Sequence, residues 1–194
     1  MNNAGRSQRA LFEQIDVTVD RALFEVNVFS LVNLSRVVLR YYLSSNPSGQ
    51  LAVTSSSAGV LGLPVSASYT ASKHALHGYF ECLRNELGSK NQISITIFCP
   101  GPTFSNFLAS AYGGTMGKGV EGDREHQSTA RRMSTARCAQ LMAVALANRM
   151  DEVWISLHPF LLLHYVATYL PSLSKKLLPR IITLERWAQI REGN

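Results

Sequence analysis

Two short runs of apolar and β-branched residues constrain the fold most, at 51–54 (Leu-Ala-Val-Thr) and 93–99 (Ile-Ser-Ile-Thr-Ile-Phe-Cys). The first run lacks polar alternation, which is typical of a strand buried on both faces in a parallel sheet. The second run is rich in β-branched residues, which favour strands. A last short strand is predicted at 153–156. Apolar residues at helical spacing predict the intervening helices, at 15–43, 67–87 and 134–147.

The 67–87 helix carries a tyrosine and a lysine one turn apart. Tyr69 and Lys73 are four residues apart, so both side chains leave the same helix face. An ammonium beside a phenol stabilises the phenolate, so we expect Lys73 to lower the pKa of Tyr69 from about 10. Tyr69 would then exchange a proton with a substrate oxygen near neutral pH. Ser56, at the end of the 51–54 strand, could hold the same oxygen from a second direction.

The Tyr-x-x-x-Lys pair alone has another explanation, because a half-buried tyrosine beside a lysine with an aliphatic stem is common on helices. Three other motifs accompany it in order: Asn-Asn-Ala-Gly at 2–5, Ser-Ser-Ser-Ala-Gly at 55–59 and Ile-Phe-Cys-Pro-Gly-Pro at 97–102. Together, over residues 2–156, they closely resemble the short-chain dehydrogenase/reductase family. The resemblance is greatest to its membrane-associated branch, which includes SDR family member 7 and the 11β-hydroxysteroid dehydrogenases.

This resemblance implies an α/β fold, a Rossmann-like doubly wound parallel sheet. It also implies hydride transfer between a nicotinamide cofactor and a carbonyl or alcohol carbon. In the reduction direction Tyr69 gives the proton, Lys73 tunes Tyr69 and binds the nicotinamide ribose, and Ser56 orients the carbonyl. Asn27, in the 15–43 helix, matches the family position whose carbonyl holds a water that links the lysine to solvent. A lone helical asparagine is otherwise only a tolerated polar residue.

The resemblance assigns further positions to the cofactor, in addition to Tyr69 and Lys73. Those that line the adenine-ribose side, at the end of the family's fourth strand, are Asn3, Ala4 and Gly5. Those that follow the 93–99 strand and contact the nicotinamide are Pro100, Gly101, Thr103 and Ser105. A Pro-Gly at a strand end is, in isolation, as readily only a turn. The cofactor is expected to be NADP or NAD, with NADP slightly favoured.

The family's glycine-rich Thr-Gly-x-x-x-Gly-x-Gly turn, which receives the pyrophosphate at a helix N-terminus, has no counterpart in the sequence. The run at 112–119 is glycine-rich but follows no strand, which favours a flexible loop. We therefore expect a sheet truncated at the amino end, with the first three strands missing. Residues 1–156 would be the carboxy-terminal two-thirds of a Rossmann-type domain, and 157–194 an apolar and basic extension.

Residues 104–122 are expected to form a mobile lid over the substrate. Apolar residues in this lid and in the extension favour a lipophilic substrate, such as a steroid or retinoid. The extension is interrupted by Pro159 and Pro171 and is too short to span a bilayer. It would lie on a membrane surface as amphipathic segments or, equally, fold back on the body or a partner subunit. The apolar lid positions are Phe104, Phe107, Leu108 and Tyr112.

The 15–43 and 67–87 helices match those that form the family's dimer interface, so a homodimer is expected. An alternative function is a catalytically silent form that pairs with a full-length subunit, since a sheet without its first strands exposes an unpaired edge. The resemblance implies association with the endoplasmic reticulum membrane, with the cytoplasm as alternative. We find no targeting segment and no run of about 20 apolar residues.

The net charge of +6 is spread along the chain, with no basic run longer than the pairs at 131–132 and 175–176. This pattern favours a solvated surface, with some attraction to membranes, over nucleic-acid binding.

Cysteine and histidine spacing predicts neither disulfides nor a metal site. Cys82, Cys99 and Cys138 are too few and too scattered for either, and the first two are expected to be buried thiols. His74 and His77 have no partner spaced like a metal ligand, and we expect them at the surface or an interface.

Overall fold

The computed structural model describes residues 1–45, 48–88, 92–117, 132–181 and 183. Each predicted strand and helix occurs within a few residues of its expected bounds. Short 3₁₀ helices occupy Phe12–Gln14, Ser57–Gly59 and Asn106–Ser110. The main elements are α1 (Val17–Phe24), α2 (Ser30–Ser45), β1 (Ser48–Thr54), α3 (Ala67–Leu87), β2 (Gln92–Pro100), α4 (Thr135–Ala147), β3 (Glu152–Ile155), α5 (Phe160–Tyr169) and α6 (Pro171–Ile181).

The three strands form one parallel sheet in the order β1-β2-β3. Val53 lies opposite Ile97, and Phe98 lies opposite Val153. At the free edge of β1, Asn2 forms a parallel bridge with Val53. The Asn2 amide donates to the Ala52 carbonyl at 2.7 Å, and the Asn2 carbonyl accepts from the Thr54 amide at 2.9 Å. The Asn-Asn-Ala-Gly motif therefore begins at the sheet edge, beside β1.

Helices cover both faces of the sheet, as in a doubly wound α/β fold. On one face, α2 and α3 pack on alternate residues of β1 and β2, including Leu51, Val53 and Ile97. On the other face, α4 packs on the residues between them, including Ala52 and Phe98. Because helices cover both faces, side chains on both sides of each strand are buried, which explains why the strands lack polar alternation.

The predicted 15–43 helix is a continuous helical segment, Val17–Ser45, with a π-helical turn at Glu25–Phe29. The segment is long and apolar enough to cross a bilayer by length and composition alone, which corrects the expectation that no such run exists. Its apolar stripe, which includes Leu23 and Leu31, is buried in the protein interior. We therefore assign this stripe to the core of the domain, whereas other apolar side chains of the segment, such as Phe29 and Leu34, are exposed.

The extension folds back on the body at α5. Phe160 and His164 are buried, and the His164 ring lies 5.7 Å from the Trp154 ring of β3. The following helix, α6, leaves large apolar side chains exposed, among them Leu173 and Ile181. Contact between the extension and the body is thus made by α5, whereas the membrane-surface alternative stays a prediction for α6.

Candidate active site

The carboxyl end of β1 places two serines beside α3. Ser55 and Ser56 follow the last strand residue, and the Ser56 hydroxyl accepts from the Ala58 amide at 3.1 Å, which caps the 3₁₀ helix. Tyr69, near the start of α3, is 8% exposed, and the nearby Ser56 side chain acts to lower its pKa. The fold therefore brings together the two hydroxyls that the sequence analysis expected to share one substrate oxygen.

Burial raises the pKa of Tyr69, because it penalises the charged phenolate. The Ser56 hydrogen bond and the charge of Arg9 act in the opposite direction. Lys73 does not contribute, contrary to our expectation that it lowers this pKa. In the structure as it stands, Tyr69 is therefore held as a neutral phenol, the form that can give up a proton.

The Lys73 side chain is 3% exposed and points to the end of β1. Its ammonium donates to the carbonyl of Thr54 at 2.8 Å and lies 5.8 Å from the centroid of the Tyr69 ring. Burial lowers the pKa of Lys73 to about 8, because few groups replace the lost hydration of the charge. Lys73 thus lies in the same cleft as Tyr69, although its hydrogen bond goes to the backbone.

Asn27 lies in the π-helical turn and is fully buried. Its Oδ1 accepts from the Arg6 amide at 2.8 Å, and its Nδ2 donates to the Arg6 carbonyl at 2.9 Å. The same Nδ2 donates to the Ser72 hydroxyl at 3.0 Å. Asn27 therefore joins the amino-terminal segment to α3, one residue from Lys73. Such π turns often lie at functional sites, and this one had no signal in the apolar spacing.

Gly5 leaves space next to two of these groups. A Cβ at Gly5 would lie 3.2 Å from Asn27 Oδ1 and 3.5 Å from Lys73 Nζ. Asn3 and Ala4, the neighbouring positions assigned to the cofactor, are exposed. The buried ammonium of Lys73, beside a position that carries no Cβ, would suit the ribose and nicotinamide half of a dinucleotide. Among the described residues we find no glycine-rich strand-turn-helix that would fit its phosphates.

The loop after β2 is held at the same edge of the sheet. The Pro100 carbonyl accepts from the Ser57 hydroxyl at 3.1 Å, and the Gly101 amide donates to Ile155 at 2.8 Å. Thr103 Oγ1 donates to the Gly101 carbonyl at 3.0 Å. Ser105 is exposed and caps the Asn106–Ser110 helix. Of the four expected cofactor positions, Pro100 therefore ends β2 and the other three follow it, one strand away from Ser56.

Apolar side chains line the Tyr69 side of the cleft. The Phe107 ring lies 5.7 Å from the Tyr69 ring, and Leu63 and Tyr112 join the same cluster. Tyr112 is also fixed to the amino-terminal segment, since its amide donates to the Ser7 carbonyl at 2.9 Å. Of the predicted 104–122 lid, residues 118–122 lie outside the described residues.

The sequence analysis missed Arg6 and Arg9. The Arg6 guanidinium lies 4.0 Å from the centroid of the Tyr112 ring and donates to the Tyr112 hydroxyl at 2.8 Å. Arg9 donates to the Ser66 hydroxyl, just before α3, and its charge acts on Tyr69. Neither arginine falls in a recognisable motif, so only the fold shows that they border the cleft.

Two cysteine and histidine expectations need correction. Cys82 is exposed, whereas Cys99 is buried as expected. His74 is exposed, but the His77 side chain is only 13% exposed and lies against Cys99 and Glu152. The helical periodicity places His77 on the same face as Lys73, toward the sheet, which is why it is not a surface residue.

A doubly wound parallel sheet with a serine, a tyrosine, a lysine and an asparagine around one strand end defines the short-chain dehydrogenase class. A family model described as short chain dehydrogenase matches residues 1–113, and the chain belongs to the short-chain dehydrogenase/reductase family. Within the family it falls in the branch of SDR family member 7. It is 38% identical to the human "Dehydrogenase/reductase SDR family member 7" over 174 residues, 89% of this chain and 50% of that protein.

A second relative is the mouse "Dehydrogenase/reductase SDR family member 7B", 29% identical over 96% of this chain and 56% of that protein. The chain thus spans about half the length of the curated relatives it matches.

Solved structures agree on the fold. A short-chain dehydrogenase from Streptomyces avermitilis has a TM-score of 0.68 at 24% identity, covering 93% of this chain and 70% of that one. A short-chain dehydrogenase/reductase from Burkholderia phymatum, in complex with NAD, has a TM-score of 0.66 at 22% identity, covering 83% of this chain and 61% of that one.

Proposed function

We propose that this chain carries the acid/base part of an NAD(P)-dependent oxidoreductase site that interconverts a carbonyl and an alcohol on a lipophilic substrate. The observation that carries the proposal is that Ser56, at the end of β1, lies near enough to Tyr69 to lower its pKa, beside the buried ammonium of Lys73. Two hydroxyls placed in this way could both contact one substrate oxygen.

In the reduction direction, Tyr69 is the proton donor. Its raised pKa keeps the phenol neutral at physiological pH, so the proton is available. An alkoxide that forms at the substrate is a much stronger base than a phenolate, and it takes this proton. Ser56 holds the carbonyl oxygen, and the Arg9 charge stabilises the phenolate that remains.

Lys73 and Asn27 support the proton transfer. With its lowered pKa of about 8, Lys73 exchanges its own proton near neutral pH. Asn27 holds the backbone of Arg6 beside Lys73, where a proton would pass between the lysine and solvent. The residues that would hold the nicotinamide and its ribose are Lys73, Gly5 and Thr103. When bound, a nicotinamide cofactor supplies or accepts the hydride, and this chain supplies position and protons. Either NADP or NAD fits this half of the site, with NADP the slightly favoured proposal.

The lipophilic substrate class is inferred from the walls of the cleft. Leu63, Phe107 and Tyr112 form an apolar side next to Tyr69, which suits a steroid- or retinoid-like molecule. The exposed apolar residues of α6, with Lys175 and Arg180 on the same helix, suit contact with a membrane surface in which such substrates dissolve. The endoplasmic reticulum membrane, which the family resemblance implies, is the proposed location, with the cytoplasm as alternative.

Activity of the purified full chain tests the proposal. NADPH and NADH binding would be followed by nicotinamide fluorescence, and turnover by loss of the reduced cofactor with a steroid ketone or retinal. The expected result is turnover that Tyr69→Phe abolishes and that Tyr41→Phe, at an exposed position on α2, leaves intact. Turnover that survives Tyr69→Phe would disprove the acid/base assignment.

A second candidate function is pairing with another subunit, with or without catalysis. A groove of about 610 Å³ lies between α2 and α3, lined by Val32, Ala75, Tyr79 and Leu83. Leu34 and Val37, also on α2, are exposed. Sedimentation of the chain tests this candidate: Tyr79→Glu is expected to shift a dimer to monomer, whereas Val144→Glu, exposed on α4, is not. Cofactor binding without pairing would reject it.

A further inference from the structure

On the sheet-facing side of α3, one helical turn beyond Lys73, three side chains from three elements converge. His77 comes from α3, Cys99 from β2 and Glu152 from β3, and one ligand atom from each lies within 4.8 Å of the others. Cys99 Sγ lies 3.6 Å from His77 Nε2, and Glu152 Oε2 lies 3.5 Å from His77 Nδ1. These residues are 22 to 75 positions apart in the sequence, so no spacing motif marks them.

We propose that His77, Cys99 and Glu152 form a binding site for a zinc-type divalent transition-metal ion. This proposal replaces the expectation of no metal that cysteine and histidine spacing gave. It is independent of the proposed oxidoreductase function.

The distances suit tetrahedral coordination. Zn²⁺ binds thiolate sulfur at about 2.3 Å and imidazole nitrogen at about 2.0 Å, which separates the two ligand atoms by roughly 3.5 Å in a tetrahedron. The observed separation of Sγ and Nε2 is 3.6 Å. The Glu152 carboxylate offers an oxygen within 4.8 Å of the other two ligand atoms, so it has to move closer to complete a three-ligand set.

The choice of ion follows from the ligands. A thiolate and an imidazole favour zinc and its neighbours over Mg²⁺ or Ca²⁺, which prefer sets of oxygen ligands. The Cys99 thiolate and the Glu152 carboxylate together carry two negative charges, which a divalent ion balances. On binding, the Cys99 sulfur exchanges its bond to hydrogen for a bond to the metal, and the proton leaves to solvent.

Neighbouring groups hold the ligands in place. The Trp154 indole donates to Glu152 Oε1 at 2.5 Å, which leaves Oε2 directed at His77. Contacts of this kind, to the outer atoms of ligands, orient known metal sites. The Ser55 hydroxyl, which donates to the Lys73 carbonyl at 3.1 Å, lies 3.0 Å from His77 Nε2, so an ion bound to Nε2 would replace this contact.

The site has an entry path and a nearby supplementary charge. The Glu152 side chain is 28% exposed, whereas Cys99 is fully buried, so an ion would enter past the carboxylate. Glu81, on the next turn of α3, places its Oε1 4.0 Å from His77 Nδ1. A bound ion would connect α3 to β2 and β3, one helical turn from Lys73.

Cobalt and zinc titrations of the full chain test the site. Co²⁺ is expected to give a thiolate-to-cobalt charge-transfer band with one ion per chain, and Zn²⁺ is expected to displace it with a dissociation constant tighter than about 10 μM. Cys99→Ser should remove the charge-transfer band, and His77→Gln and Glu152→Gln should each weaken binding by about tenfold or more. Cys82→Ser and His74→Gln, at exposed positions, should leave both unchanged.

Circular dichroism and thermal unfolding establish that each variant folds. If Cys99→Ser fails to fold, His77→Gln and Glu152→Gln decide the matter through the zinc affinity alone. No charge-transfer band with the wild-type chain, or a band that Cys82→Ser removes and Cys99→Ser retains, would overturn the proposal.

Discussion

The ammonium of Lys73 donates to the backbone carbonyl of Thr54 at 2.8 Å, four residues along α3 from Tyr69. The lysine is thereby fixed to the last residue of β1, between the sheet and the tyrosine. Its position in the cleft follows from this contact between helix and strand, whereas its lowered pKa follows from burial.

Stability is expected to increase with pH between about 8 and 10.5. Burial lowers the pKa of Lys73 in the folded state from 10.5 to about 8. Below pH 8 Lys73 is protonated in both the folded and the unfolded chain, and the folded chain bears the full cost of burying the ammonium. Above it the unfolded state binds more protons, so the free energy of unfolding rises, by up to roughly 3 kcal/mol. Urea unfolding over this range should show the rise in wild type and a flatter profile in Lys73→Met. A rise in Lys73→Met equal to that in wild type would contradict the assignment of this pH dependence to Lys73. The control is Lys175→Met, at an exposed position, which should keep the wild-type profile.

Tyr69→Phe is expected to lower kcat/KM by about 10² to 10⁴-fold with little loss of stability, since it removes only the acidic hydroxyl. Steady-state kinetics with NADPH and a lipophilic ketone would measure this. Tyr41→Phe, whose hydroxyl lies on an exposed side chain, should match wild type. Equal losses in both variants would mean that the tyrosine effect is not specific to the cleft.

Ser56→Ala is expected to raise the pKa of Tyr69 further. The Ser56 hydrogen bond now lowers this pKa against the larger effect of burial, so its removal leaves burial less opposed. Ultraviolet titration of tyrosinate, compared between Ser56→Ala and Ser56→Ala/Tyr69→Phe, isolates Tyr69. A downward shift, or none, would show that the hydroxyl contact is not maintained in solution. The single variant Ser56→Ala should also lose about 10²-fold or more in kcat.

Asn27→Ala is expected to destabilise the fold by about 2–4 kcal/mol. It leaves the partly buried amide and carbonyl of Arg6 without the partners they have at 2.8 and 2.9 Å. Urea unfolding would measure the loss. Asn33→Ala, at an exposed position on α2, should change the free energy of unfolding by less than about 0.5 kcal/mol. Similar effects of the two substitutions would argue against the clamp between Arg6 and α3.

Gly101→Ala is expected to cost about 1–3 kcal/mol by overpacking. A Cβ at Gly101 would lie 2.2 Å from the Ser156 hydroxyl and 2.9 Å from the Ser156 Cβ. Adding Ser156→Gly should therefore recover most of the loss in a double-mutant cycle. Gly78→Ala, where the new Cβ meets open space in a helix, should instead stabilise by about 0.5–1 kcal/mol. Independent, additive effects of Gly101→Ala and Ser156→Gly would refute the close contact.

The sequence by itself determined where the strands and helices lie and which residues surround the end of β1. The helix Ala67–Leu87 has its predicted bounds, and it ends at Gly88, whose φ of +56° suits glycine. Ser56 follows β1 and Tyr69 lies near the start of α3, and their shared role in the site stays a prediction. These features follow from local patterns: apolar periodicity, helix-terminating residues and motif order act over a few residues at a time.

Only the tertiary structure decided what surrounds each side chain. It directed Lys73 to Thr54 and let burial, rather than the lysine, set the direction of the Tyr69 pKa. It also placed His77 against Cys99 and Glu152. Desolvation and long-range contacts depend on which distant elements pack together, and that information is absent from any local stretch of the chain.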